Sequence, residues 1–312
     1  MTETFTQKFD RIVRGRGSNL CVGLDPDMGR VRATMQAHVL EHLRHQPISF
    51  GFVTTQDGIA PDAHMPGLEQ LAQEPDIAKD VACELTIDAC REFAAAFKPN
   101  AAFFELVVAG GTGIPALVRQ RGCEALAIYD GKRGDIGNTS LQYADAIFRA
   151  HGYDAVTVNP LMGHDCVEPF LRDPAHGVFL LCLTSNPGAD DFLLKGGLYK
   201  RIAAKAVEWN RNANVGLVVG ATRPELAAEV REMAPDLPLL IPGVGAQGGA
   251  LGETLDAIGA RSNPRFLVNS SRGIMFAEAR QGEDHFAAVA RAARELRDEI
   301  NRACGRAVPA AE

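Results

Sequence analysis

Short apolar runs, separated by longer stretches of mixed polarity, repeat along the whole 312-residue chain. Eight runs read as strands: Leu20–Leu24, Ala94–Lys98, Ala125–Tyr129, Ala155–Val158, Val178–Leu183, Val215–Val219, Leu239–Ile241 and Phe266–Val268. They are nearly continuous in apolar side chains instead of alternating, as expected of parallel strands covered on both faces. Between them apolar positions recur at three- and four-residue spacing, most clearly at Thr139–Ala150, Leu198–Asn212, Arg223–Met233, Leu251–Ile258 and Phe286–Cys304, and predict amphipathic helices. Eight even beats without a domain break predict an α/β fold, a single-domain (β/α)8 TIM barrel spanning residues 1–312. A doubly wound open sheet is the alternative.

One region breaks the rhythm. From Gly29 to Cys90, about sixty residues separate the first two strands where a handful would do. The part around Gly51–Pro75 is rich in Gly, Pro, Gln and Asp and reads as an excursion from the barrel. At the other end, Gly305–Glu312 reads as a frayed tail.

Charge and cysteine content narrow the function. A net charge of −7 argues against a nucleic-acid partner, since phosphate backbones demand basic surfaces, but leaves room for a small phosphorylated ligand. The seven cysteines, Cys21, Cys83, Cys90, Cys123, Cys166, Cys182 and Cys304, are odd in number, scattered and mostly in apolar runs. They read as reduced core thiols. No signal-like apolar core opens the chain and no window is apolar enough to span a bilayer, so a soluble cytoplasmic protein with no membrane partner is expected.

Candidate chemistry gathers at the ends of the apolar runs. The third run leads into Asp130-Gly-Lys132-Arg-Gly-Asp135-Ile136-Gly-Asn-Thr139. Residues two apart on a strand share a face, so Asp130 and Lys132 should meet, with Asp135 at the following loop-to-helix junction. Such charges are kept together either as a structural ion pair or as chemical machinery. Asp25 closes the first run and Lys98 the second, and in a closed barrel these tips converge on one mouth. After the seventh and eighth runs come Pro242-Gly-Val244-Gly-Ala-Gln247-Gly-Gly249 and Asn269-Ser-Ser271-Arg272-Gly273. Glycines let backbone N–H groups approach an anion and Arg272 can donate a bidentate pair, so these loops are candidates for phosphate. Thr184 and Ser185, after the fifth run, can bond a polar ring or cap a turn. Gly110–Gly113 reads as a turn before an Ile114–Arg121 helix, and His38, His42 and His45 as one face of a solvated helix.

Taken in order from about residue 20 to 275, Leu24-Asp25, Phe97-Lys98-Pro99, the Asp130–Thr139 string, Leu183-Thr-Ser185-Asn-Pro-Gly188, Pro242–Gly249 and Ser271-Arg272-Gly273 resemble the orotidine 5′-monophosphate decarboxylase family, specifically its longer bacterial branch. The Gly29–Cys90 stretch is long even for that branch. The resemblance implies an alternating array of Lys98, Asp130, Lys132 and Asp135, the last entering from the partner subunit of a homodimer together with Ile136 and Thr139. It also implies that Asp25 and Lys98 hold ribose hydroxyls with help from Thr139, and that Ser185 faces the pyrimidine amide. Gln247 and Arg272 would grip the 5′-phosphate, and Pro242–Val244 would line the pocket. The implied reaction is loss of carbon dioxide from orotidine 5′-phosphate with proton delivery by Lys132, without cofactor or metal. The segments Gly188–Gly197 and Ala246–Gly249 are lid candidates. Two rival readings remain: a magnesium-dependent sugar-phosphate lyase or aldolase on the same barrel, and a non-catalytic nucleotide-binding barrel.

Overall fold

Each apolar run forms a strand: β1 (Leu20–Leu24), β2 (Ala96–Pro99), β3 (Leu126–Arg133), β4 (Ala155–Val158), β5 (Gly177–Leu183), β6 (Val215–Val219), β7 (Leu239–Ile241) and β8 (Phe266–Ser270). In the computed structural model, which describes residues 3–45, 68–105, 113–244 and 251–308, the strands pair in parallel in chain order. β8 closes the barrel on β1 through Leu20 beside Val268 and Cys21 beside Asn269. The helices are α1 (Phe5–Arg16), α2 (Met28–Thr34), α3 (Gln36–His45), α4 (Leu68–Leu71), α5 (Pro75–Cys90), α6 (Ile114–Gln120), α7 (Gly137–Ala144), α8 (His164–Leu171), α9 (Leu198–Trp209), α10 (Pro224–Met233), α11 (Leu251–Ala257), α12 (Arg272–Met275) and α13 (His285–Ala303).

The strands sort their side chains into two cores. Leu20, Val22, Leu24, Val156, Val158 and their counterparts pack outward against the helices. Cys21, Ala96, Leu126, Ile128, Ala155, Phe179, Val218, Leu240 and Leu267 fill the barrel interior together with Phe5, Phe9, Ile12 and Val13 of α1. That first helix plugs the end of the barrel where the strands begin. Thr4 and Gln7 form a capping box at its start, and Gly17 ends it in the left-handed region, at φ 56°. Phe5 meets Phe179 edge to face at 5.8 Å. A Cβ on Gly177 would lie 2.4 Å from the Phe5 ring.

Several boundaries differ from the sequence reading, each for a physical reason. β3 runs four residues further than its apolar stretch, because Asp130 and Lys132 are paired instead of solvated. The helix expected over Thr139–Ala150 starts at Gly137, and its last six residues form a π-helical turn, Asp145–Ala150. The stretch assigned to the excursion includes the barrel's own first crossover helix, α5, whose Val81, Ala82, Cys83 and Ile87 are fully buried against the barrel. Residues 46–67 of the excursion, residues 110–112 of the glycine-rich turn and residues 309–312 of the tail lie outside the described residues.

α3 docks on the barrel helices and is not simply solvated. His38 bonds Asp284 at 2.5 Å, His42 faces Glu84 at 3.5 Å and His45 bonds Glu41 at 2.7 Å. Among the described residues no group of His, Cys, Asp or Glu side chains is arranged to hold a metal ion, and no helix is long and apolar enough to cross a membrane. All seven cysteines are free and buried, as their apolar settings predicted. Burial pushes the Cys21 and Cys182 thiols up to about 12, which keeps them protonated and unreactive.

The plug yields a prediction of opposite signs within α1 and its partner. Gly177→Ala should destabilise the protein by about 1–3 kcal/mol through overpacking against Phe5. Gly15→Ala, in α1 with open space around it, should stabilise by up to about 1 kcal/mol. Urea midpoints check both; a neutral Gly177→Ala would show that Phe5 does not seal the barrel.

Candidate active site

The same period of two that fills the barrel interior also delivers the polar residues at its other end. Counting up each strand from the buried layer, Ala96 leads to Lys98, Ile128 to Asp130, Ala155 to Thr157 and Leu267 to Asn269. Lys98 donates to Asp130 Oδ2 at 2.5 Å, and Lys132 donates to Asp130 Oδ1 at 2.7 Å. The Thr157 hydroxyl donates to the same Oδ1 at 2.9 Å and accepts the Lys132 backbone N–H at 2.9 Å. Asp130 is therefore a nearly buried carboxylate saturated by two ammonium groups and one hydroxyl.

Lys132 reaches this position by a route that strand alternation alone does not provide. The pairing of β3 with β4 shifts register between Tyr129 and Arg133, and Lys132 has φ 46°, the left-handed region that side-chain-bearing residues seldom enter. The bulge re-aims the ammonium towards Asp130 while leaving the side chain 49% exposed at the mouth. Lys98, by contrast, is enclosed. Burial alone would push the Lys98 ammonium down, but the Asp130 and Asp25 carboxylates outweigh it and raise its pKa above the ordinary lysine value. Burial would likewise raise Asp130; Lys98 and Lys132 instead hold its carboxyl well below the usual range. Lys98 and Asp130 therefore stay charged as a pair at neutral pH.

A cavity of about 480 Å³ opens over this array, lined among others by Asp25, Lys98, Asp130, Pro242, Val244, Ser271 and Arg272. The Asp25 Oδ1 atom is buried without a hydrogen-bond partner among the described residues, so it offers an acceptor to a hydroxyl group in the cavity. The β1 and β8 tips touch so closely that a Cβ on Gly23 would lie 1.9 Å from the Ser271 hydroxyl. Gly220 similarly admits the backbone of Ser185, whose nitrogen would be 2.8 Å from a Cβ there. A larger hollow, about 540 Å³, lies at the opposite end of the barrel, but its Arg265 is committed to Asp10 at 2.8 Å and none of the strand-tip array is there.

The structure brings Asp25, Lys98, Asp130, Pro242, Val244, Ser271 and Arg272 to one cavity, with Lys132 bonded to its floor. Ser185 is half-buried at the tip of β5 and is not among the cavity's lining residues. Asp135, Ile136 and Thr139 are not brought to it within this chain. The Asp135 carboxylate accepts the Ile136 N–H at 2.7 Å, and Ile136 is 54% exposed. Gln247 and the candidate lid Ala246–Gly249 lie outside the described residues. The other candidate lid folds as a π-helical turn, Asp190–Leu194, whose Asp190 pairs with Arg223 at 2.5 Å. Thr157 was missed by the sequence reading. The signal was present: it is a lone polar residue in an otherwise apolar strand, two positions beyond the interior side chain of Ala155.

Comparison with known proteins gives a consistent result. The family described as orotidine 5′-phosphate decarboxylase / HUMPS matches residues 18–283. The chain is 38% identical over 307 residues to orotidine 5′-phosphate decarboxylase of Janthinobacterium sp. (strain Marseille), covering 96% of this chain and 98% of that one. It is 42% identical over 300 residues to the protein of the same name from Aromatoleum aromaticum, covering 93% and 95%. Among solved structures, Leishmania donovani OMP decarboxylase superposes with a TM-score of 0.69 at 34% identity, covering 97% of this chain and 99% of that one. Leishmania donovani UMP synthase superposes with a TM-score of 0.71 at 36% identity, and this chain spans 57% of its length.

The array should also set the pH range of stability. Asp130 has a lowered native pKa, so its contribution is complete above its unfolded value of about 4 and is lost as pH falls towards the native one. Lys98 has a raised native pKa, so its contribution is complete below about 10.4 and is lost as pH rises beyond it. Asp130→Asn should cost about 3–5 kcal/mol near neutral pH, with the gap to wild type narrowing below about pH 4. Urea midpoints across that range test this; a gap independent of pH would remove the charge of Asp130 as its cause.

Proposed function

The chain belongs to the orotidine 5′-phosphate decarboxylase / HUMPS family, and from that premise we propose how its own residues decarboxylate orotidine 5′-phosphate to uridine 5′-monophosphate. The activity is that of a carboxy-lyase in pyrimidine biosynthesis. The observation that carries the assignment of residues is the Lys98–Asp130–Lys132 array at the floor of the mouth cavity.

When the bond between C6 and the carboxylate breaks, the electron pair stays on C6 and carbon dioxide leaves. Lys132 stabilises that developing charge and then delivers its proton to C6, recovering one from solvent afterwards. Enzyme accelerations amount to about 8–23 kcal/mol, and an unactivated ring carbanion calls for the upper part. A positioned acid contributes only about 10²–10⁴-fold, so preorganised charge must supply much of the rest. The bulge supports this role, because it fixes the Lys132 ammonium before substrate arrives. Asp130 lies beside the departing carboxylate in this reading, and Lys98 balances it. The unpartnered Asp25 oxygen supports ribose binding with Lys98. Arg272, Ser271 and the Pro242–Val244 turn, extended by Gln247, hold the phosphate, and Ser185 meets the pyrimidine amide.

We further propose a homodimer in which Asp135, Ile136 and Thr139 complete the partner's site. What supports it is their position outside their own chain's cavity, together with exposed Ile136, Tyr143, Leu161 and Met162 around the β3 and β4 tips. The chain would act as one barrel domain in the cytoplasm, on a small nucleotide and not on nucleic acid or membrane. Its free, buried thiols and its net charge of −7 support that setting. The magnesium-dependent reading is disfavoured by the donors around Asp130: both carboxylate oxygens are already taken by ammonium groups, which a divalent cation would have to displace.

The direct test follows the loss of orotate absorbance with and without EDTA, and turnover should survive the chelator. Lys132→Ala should retain less than about 1% of wild-type turnover with its assembly unchanged; higher retention would remove Lys132 from its role. Mixing Lys132→Ala with Asp135→Ala subunits should restore roughly a quarter of wild-type activity through mixed dimers. No recovery on mixing would dismiss the shared site.

A further inference from the structure

The helices after β1 do more than lengthen a crossover. Asp27 caps α2, its Oδ1 accepting the Arg30 N–H at 3.0 Å, and that first turn brings Arg30 to the wall of the mouth cavity. The Arg30 guanidinium lies over the Phe276 ring, 5.6 Å from its centroid. Phe276 directly follows α12, and its N–H donates to the Arg272 carbonyl at 3.2 Å. One aromatic ring therefore ties the excursion to the turn that carries Arg272.

Arg30 and Arg272 share this cavity, and neither guanidinium has an ion-pair partner among the described residues. The acidic residues nearby are otherwise engaged. Asp27 caps its helix, Asp130 is held by two lysines, and Asp25 acts on Lys98. Two unanswered guanidinium groups in one cavity, one of them seated on a ring, fit a dianion with several acceptor oxygens.

We infer that Arg30 is a second arginine ligand of the substrate's 5′-phosphate, contributed by the excursion, and that it helps the enzyme select nucleotide over nucleoside. This rests on the function proposed above. The side chain is exposed, so it acts by closing on a bound phosphate, and raised salt should weaken its effect.

The experiment compares kcat/KM for orotidine 5′-phosphate and for orotidine in wild type, Arg30→Ala, Arg30→Lys and Arg272→Ala. Arg30→Ala should lower the nucleotide-to-nucleoside ratio of kcat/KM by roughly 10- to 100-fold, and Arg30→Lys should recover part of it. Calorimetry with uridine 5′-monophosphate and uridine gives a second readout, in which Arg30→Ala should weaken the nucleotide selectively. An unchanged ratio, or equal losses on both substrates, would overturn the inference, since a merely structural contact with Phe276 would not discriminate phosphate. Arg272→Ala separates the two failures. If it too leaves the ratio unchanged, the phosphate site itself is misassigned; if it alone lowers the ratio, only the role of Arg30 falls.

Discussion

One buried carboxylate organises the mouth of this barrel. Asp130 is held between an enclosed lysine, Lys98, and a half-exposed one, Lys132, with Thr157 bonded to both the carboxylate and the Lys132 backbone. A lone charge so buried would cost several kcal/mol, and removing one partner of such a pair costs about as much. The three charges are therefore mutually obligatory. Their shared geometry draws the tips of β2, β3 and β4 together and stabilises the left-handed backbone at Lys132. The strain at that residue is offset by an ammonium group fixed against the buried carboxylate at the cavity mouth, a preorganised charge of the kind on which the proposed mechanism rests.

That mouth depends on what happens at the opposite end. Phe5 and Phe9 of α1 close the barrel over Phe179, so the interior is an apolar plug below and a polar array above. The strands carry this division by simple alternation, and glycines at 23, 177 and 220 allow the close approaches it requires. A core that is sealed and rigid at its base permits charge at its rim to be preorganised instead of solvated.

The excursion belongs to the same design. α2 reaches Phe276 through Arg30, while α3 reaches the cap of α13 through the bond from His38 to Asp284. His285, next along, bonds the Met275 carbonyl at the end of α12. Both helices are thus anchored around the short turn that begins with Arg272, which connects the insertion physically to the side of the cavity proposed for phosphate.

The amino-acid order alone determined the barrel, because alternating apolar runs and amphipathic segments have few other ways to bury both faces of eight strands. It also determined which strand tips carry charge, and Asp25, Lys98, Asp130 and Arg272 do converge on one cavity. Local pattern could not supply the bulge that turns Lys132 towards Asp130, since a register shift arises from pairing with β4. Nor could it supply Thr157, whose role exists only once β4 lies beside β3, or Arg30, whose ring partner is about 250 residues away in sequence. Contacts that depend on separation in space, and on no period along the chain, were decided by tertiary structure alone.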